Sequence, residues 1–158
     1  MVSTATANLR RMQTQDELRH GAVSVTQESK TSNDSTATSL PAKVVHGHVR
    51  SGQQISSGPN QSLVILGSVH SGGEVLSDGD IHLYGKLKGR ALAGLGTPGG
   101  AARIYVQSFD PELVCIDGTY TTIDDVAELT KGAVHAGDAV MVYLDSTSGE
   151  LRFERMQL

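Results

Sequence analysis

Between Val49 and Asp117 one pattern of apolar and polar positions is written three times, with a looser fourth copy. The copies are VRSGQQISS from Val49, VHSGGEVLS from Val69, LKGRALAGL from Leu87 and FDPELVCID from Phe109. The last three are led by β-type runs: LVILG from Leu63, IHLYG from Ile81 and ARIYVQS from Ala102. They begin 20, 18 and 22 residues after one another. An apolar residue returning to each slot at such a period marks a solenoid of stacked coils, whose narrow core is a set of columns. Val49, Val69, Leu87 and Phe109 share one column, and Ile55, Val75, Ala93 and Cys115 a second. Leu63 and Ile81 share a third, continued by either Arg103 or Ile104. Gly67 and Gly85 are expected at corners where the chain turns sharply with positive φ. The longest spacing coincides with GLGTPGGAA from Gly94, an insertion at one corner.

The flanks follow other patterns. Residues 1–42 carry 13 Ser or Thr and four charges of each sign, with little apolar content. Such a segment cannot bury enough surface to offset its ordering entropy and reads as a disordered tail or linker. A short helix over Leu9–Arg19 is conceivable there. An organelle transit peptide is weighed against by Asp16 and Glu17. Residues 43–158 form the folded domain, with 123–158 as its capping tail. Thr122 to Leu129 reads as one or two helical turns with acidic residues at the favourable N-terminal end. Two alternating runs, 139–144 and 150–156, are split by DSTSG and predict a β-hairpin. Such a tail covers the end of a solenoid, where unpaired backbone groups would otherwise be offered to other chains. The hairpin is expected to expose Val140, Val142, Leu144, Leu151 and Phe153, which places a symmetric homodimer interface near the C-terminal coils.

Composition narrows the class. A length of 158 residues favours one domain, and abundant glycine (18) with no tryptophan suits a thin β-interior. A net charge of −4 argues against a general nucleic-acid binder. No apolar run approaches the ~20 residues of a membrane span, and the N-terminus has no secretory h-region. The single Cys115 falls on an apolar column, as a small buried hydrophobe.

Catalytic signals are weak. GLGTPG from Gly94 fits a dinucleotide fingerprint as a string, but Pro98 lies inside it and no helix follows. His46 and His48 have metal-like spacing without a third ligand. Asp78 and Asp80 could mimic an acid–base pair, but a polysaccharide-cleaving β-helix needs more coils than these. No cofactor or metal is expected.

The order and spacing of RSGQ from Arg50, EVLSDGDIHLYG from Glu74, LKGRALAG from Leu87 and ELVCIDGTY from Glu112 resembles the C-terminal domain of the septum-site-determining protein MinC. The resemblance covers roughly residues 46–158. It implies an all-β fold, a right-handed parallel β-helix of triangular section that dimerises. It also implies a non-catalytic adaptor that binds the membrane-associated ATPase MinD and the tail of the tubulin-like protein FtsZ, blocking septa at wrong sites. Carried over by position, the MinD-facing residues are Arg50, Ser51, Gly52 and Gln53, with Gly72, Glu74 and Asp78 on the next coil. Arg90 and Lys88 fall near the site for the FtsZ tail. Lys86, Lys88 and Arg90 alternate, so strand geometry would put them on one face. The implied location is the cytoplasm, with recruitment to the inner membrane only through MinD, or a plastid in an alga. Family members usually carry a globular N-terminal domain, and a Ser/Thr-rich segment stands in its place here. Two rivals come from other classes. A hexapeptide-repeat acyltransferase fits the 18-residue spacing but not the other two, and an end-to-end β-helix filament scaffold is opposed by the capping tail.

Overall fold

The computed structural model describes residues 40–96, 99 and 101–158. The expected tail, but for its last residues, and the helix weighed over Leu9–Arg19 lie outside the described residues. So does part of the Gly94 loop.

The β-runs read from the pattern are strands, and they stack. β1 (Lys43–His46), β3 (Leu63–Leu66), β5 (Ile81–Leu87) and β7 (Arg103–Phe109) lie side by side and parallel, one per coil. β2 (Gln54–Ser56), β4 (Glu74–Leu76), β6 (Arg90–Ala93) and β8 (Leu113–Ile116) do the same in a second sheet. Val49 bridges Val69, and Val69 bridges Leu87, so a narrow third side closes the section. Alternate side chains point inward. Leu63, Ile65, Val69, Val75, Ile81, Leu87, Ala91, Ile104, Val106, Phe109 and Val114 are fully buried. Each large aliphatic among them contributes about 1.5–3 kcal/mol of transfer free energy. This is the solenoid of stacked coils that the repeat implied.

The columns hold with one correction. Val49, Val69, Leu87 and Phe109 are in register, and Ile104, not Arg103, continues Leu63 and Ile81. The second column, however, runs Ile55–Val75–Ala91–Val114, not through Ala93 and Cys115. Four residues separate Leu87 from Ala91, whereas six separate Val69 from Val75. The third coil therefore lacks two residues at its corner, and an ungapped alignment slips past it.

Gly67 and Gly85 are required for a different reason than positive φ, which neither adopts. A Cβ on Gly67 would lie 2.1 Å from the Gly47 carbonyl oxygen, and one on Gly85 2.1 Å from that of Gly67. The backbones stack there with no room for a side chain.

The last coil is closed on all three sides. β9 (Thr119–Thr122) turns back through Asp117 (φ 49) and Gly118 (φ 80) and pairs antiparallel with β8. α1 (Ile123–Leu129) follows, with Asp124 and Asp125 in its first turn and Val126 buried. The Gly137 amide donates to the Phe109 carbonyl (2.8 Å), and the Phe109 amide donates to that of Asp138 (2.9 Å). β10 (Val140–Leu144) pairs antiparallel with β7 and with β11 (Leu151–Arg155). The expectation that this hairpin exposes its apolar residues is overturned. Val140 and Val142 lie opposite Val106 and Ile104 and continue their inward face. Val140, Val142 and Leu151 are buried, and Leu144 and Phe153 pack partly against the core, Phe153 meeting Phe109 edge-on at 5.9 Å. Among the described residues nothing covers the first coil in this way. Its edge is blunted by Lys43, whose ammonium donates to the Ser56 carbonyl (2.7 Å).

Candidate functional site

Most of the expected MinD-facing residues gather at the corner between the narrow third side and the second sheet. In the first coil this corner is the turn Arg50–Gln53. The Gln53 amide donates to the Arg50 carbonyl (3.0 Å), and the Arg50 amide donates to Gln53 Oε1 (2.8 Å), so the turn is closed twice. Gly52 has φ 78, the left-handed region that glycine adopts without cost. A Cβ there would meet nothing within 4 Å. One coil on, Gly72 (φ 75) sits beneath it, and the Gly52 amide donates to the Gly72 carbonyl at 2.9 Å. Arg50, Ser51, Gly52 and Gln53 are all exposed. The two glycines leave a low strip of backbone beside a cationic side chain, a surface that another chain's backbone and carboxylates fit.

Glu74 continues this strip onto the second sheet. Its carboxylate accepts from Gln54 Nε2 at 2.7 Å and lies 3.7 Å from Arg90 Nε. Arg90, expected on the other binding surface, thus neighbours the strip directly. Asp78 does not join it. It lies at the opposite corner, where its carboxylate accepts from the Asn60 amide (3.0 Å) and its own amide donates to Ser57 Oγ (3.0 Å). That is a loop-holding role.

Lys86, Lys88 and Arg90 do not share one face, contrary to their alternation. β5 ends at Leu87, the chain turns at Gly89, and Arg90 opens β6 in the other sheet. Lys86 and Lys88 instead line a shallow groove on the third side with Ser68 and His70. Lys88 is 3.8 Å from Asp110, a loose exposed pair worth little in water. His48, weighed as a metal ligand, accepts from the Ser68 amide through Nδ1 (3.0 Å), and its ring meets His70 edge-on at 5.5 Å. Among the described residues no three metal-ligating side chains converge.

Two features escaped the sequence reading. The outer face of the first sheet carries Val44, Leu66 and Tyr84, which are 51%, 42% and 58% exposed. Beside them His82 stacks on Tyr105 with centroids 4.6 Å apart. The period-2 alternation of VILG and HLYG held this signal, since its outward members are unusually apolar. The second is Glu112, whose carboxylate accepts from the Gly72 amide (3.0 Å) and from the Ser71 hydroxyl.

The family model "Septum formation inhibitor MinC, C-terminal domain" matches residues 43–155. The chain belongs to the MinC family. A probable septum site-determining protein MinC of Brucella anthropi is 45% identical over 107 residues, covering 67% of this chain and 41% of that protein. One from Pseudoalteromonas translucida is 38% identical over 128 residues, covering 81% and 52%. The chain therefore spans about half the length, or less, of these MinC relatives. Among solved structures, the fold matches a chain of the MinC:MinD cell division protein complex of Aquifex aeolicus with a TM-score of 0.62. That match covers 76% of this chain and 89% of the other at 24% identity, a likeness of fold. No helix among the described residues is long and apolar enough to cross a membrane.

Proposed function

We propose that this protein is a non-catalytic division-site regulator that docks on MinD through the Arg50–Gln53 turn and the Gly72 strip, with Glu74 at its margin. The observation that carries this reading is the pair of stacked left-handed turns, exposed at Gly52 and half-buried at Gly72, in a chain of the MinC family. The Aquifex neighbour of the same fold comes from a complex with MinD by its title, which supports the same partner. MinD would bring the chain to the membrane, since the fold itself offers no spanning helix among its described residues. The FtsZ tail would lie next to this surface, at Arg90 and across the corner at Lys88. Asp78 is left out of the proposed surface because its contacts are internal to its own corner. The 158-residue chain would act as a homodimer, with the outer face of the first sheet as its interface. Residues 1–42 would serve as a linker or tail outside the folded domain.

The decisive experiment is a pull-down with MinD, with and without ATP, comparing the chain with Gly52→Asp. Gly52 has open space around it, and aspartate tolerates left-handed backbone better than most residues, so the fold should persist. Its carboxylate would stand in the middle of the strip, and binding should be lost. Gly72→Asp is the poorer probe, because a Cβ there would lie 2.5 Å from Ser51 Oγ. Full binding by a folded Gly52→Asp chain would refute this surface. A second assay concerns inhibition. Overproduced beside a full-length relative, the 158-residue chain should compete for MinD and release division. Loss of pelletable FtsZ polymer in its presence without MinD would show inhibitory activity in these residues alone.

A further inference from the structure

We infer that Glu112 is a positioning residue for the partner face, holding the Ser71–Gly72 turn in place from two coils away; this rests on the proposed MinD surface. The reason lies in the shortened third coil. Corners in a β-helix are normally supported from below by the equivalent corner of the next coil, about 4.8 Å away. Gly52 rests in this way on Gly72. Beneath Gly72 the equivalent residues are missing, because Lys88 and Gly89 take the chain directly into β6. Gly89 fits under Gly73 so closely that a Cβ on it would lie 2.2 Å from the Gly73 carbonyl oxygen. The result is a notch of about 260 Å³ under the turn, lined by Ser71, Lys88, Asp110, Pro111, Glu112 and Ile123.

Glu112 spans this notch. It stands at the corner of the fourth coil, anchored by its own amide on the Gly89 carbonyl (3.0 Å). Its side chain reaches past the third coil, and one carboxylate oxygen accepts from both the Gly72 amide and the Ser71 hydroxyl. Two donors of the left-handed turn, which no third-coil residue reaches, are thereby satisfied by one charged acceptor, a strong class of hydrogen bond. The Gly72 carbonyl on the other side of the same peptide segment carries the Gly52 amide. The chain of contacts runs Glu112, Gly72, Gly52, so the orientation of the strip depends on a residue 40 positions downstream.

The test uses the 158-residue chain, MinD with ATP and three variants. Glu112→Ala should weaken MinD binding roughly tenfold, the equivalent of about 1.4 kcal/mol. Amide exchange at Gly72 should accelerate while Val69 and Val75 stay protected. Glu112→Gln keeps an acceptor oxygen in place and should restore affinity to within about threefold and slow Gly72 exchange again. Gly52→Asp is the control. If it abolishes binding while Glu112→Ala binds normally, the positioning role is overturned and the surface stands. If Gly52→Asp binds normally, the surface itself fails. If Glu112→Ala and Glu112→Gln lose affinity equally with Gly72 still protected in both, Glu112 touches the partner directly and the positioning role is again overturned. Should Glu112→Ala fail to fold, Ser71→Ala removes one of the two bonds. It must then weaken binding by a smaller factor, and normal affinity would refute the inference.

Discussion

Single residues in this protein are constrained by what lies one coil above or below them. Gly67 is the clearest case, since its Cα faces the Gly47 carbonyl at a distance that excludes a methyl group. Gly67→Ala must push two coils apart and should cost about 1–3 kcal/mol. A thermal melt that drops by several degrees checks this, and an unchanged midpoint would contradict the stacking. Cys115 is constrained in another way. Burial pushes its thiol above the ordinary value, partly offset by a hydrogen bond from the Gly118 backbone and reinforced by the Asp117 carboxylate. The thiolate is the reactive form, so the native thiol should alkylate at neutral pH at least about tenfold more slowly than in denaturant. Equal rates would mean that β9 opens readily from β8. Cys115 was legible as a buried hydrophobe from its slot, although the slot itself was assigned one residue out.

At the scale of elements, the sequence carried the strands and withheld the corner geometry. The runs at Leu63, Ile81 and Ile104 read as strands because their inward aliphatic residues recur at every second position, and burial follows that alternation. The two-residue shortening at Lys88–Gly89 did not announce itself, because LKGRALAG still places apolar residues at plausible intervals without a gap. Glu112 was equally hidden, as no local rule links a residue to one 40 positions away. The Asp117–Gly118 pair was a hairpin signal in plain view, passed over because the fourth repeat was read to end at Asp117. The C-terminal hairpin was legible as an element, but its direction was not. Alternation gives two faces, and only the register with β7 decides which is inward. That register moves the proposed dimer interface from the hairpin to the outer face of the first sheet. Tyr84→Glu should therefore convert the dimer to a monomer in light scattering with the melting temperature of the monomer fold intact. A Tyr84→Glu chain that stays dimeric would place the interface elsewhere.

The described residues form a stack with two unlike ends. Its first coil presents parallel edges guarded by Lys43, while its last coil is sealed by β9, β10 and the Gly137–Asp138 segment. Backbone pairing joins each coil to its neighbours, with the Glu112 side chain reaching one coil further, so stability accumulates along the stack. Loss of structure should then have a direction. Backbone amides of β1 and β2 should exchange with solvent first, those of β3 and β4 later, and those of β7, β8 and β10 only on global unfolding. Uniform protection along the stack would contradict this order. The consequence reaches the surface proposed for the partner. Arg50–Gln53 belongs to the first coil, the one expected to exchange earliest, and a partner that grips that turn would clamp this edge of the stack. Binding should accordingly be read not only as capture but as tightening, with the first coil gaining protection out of proportion to the few residues that are touched.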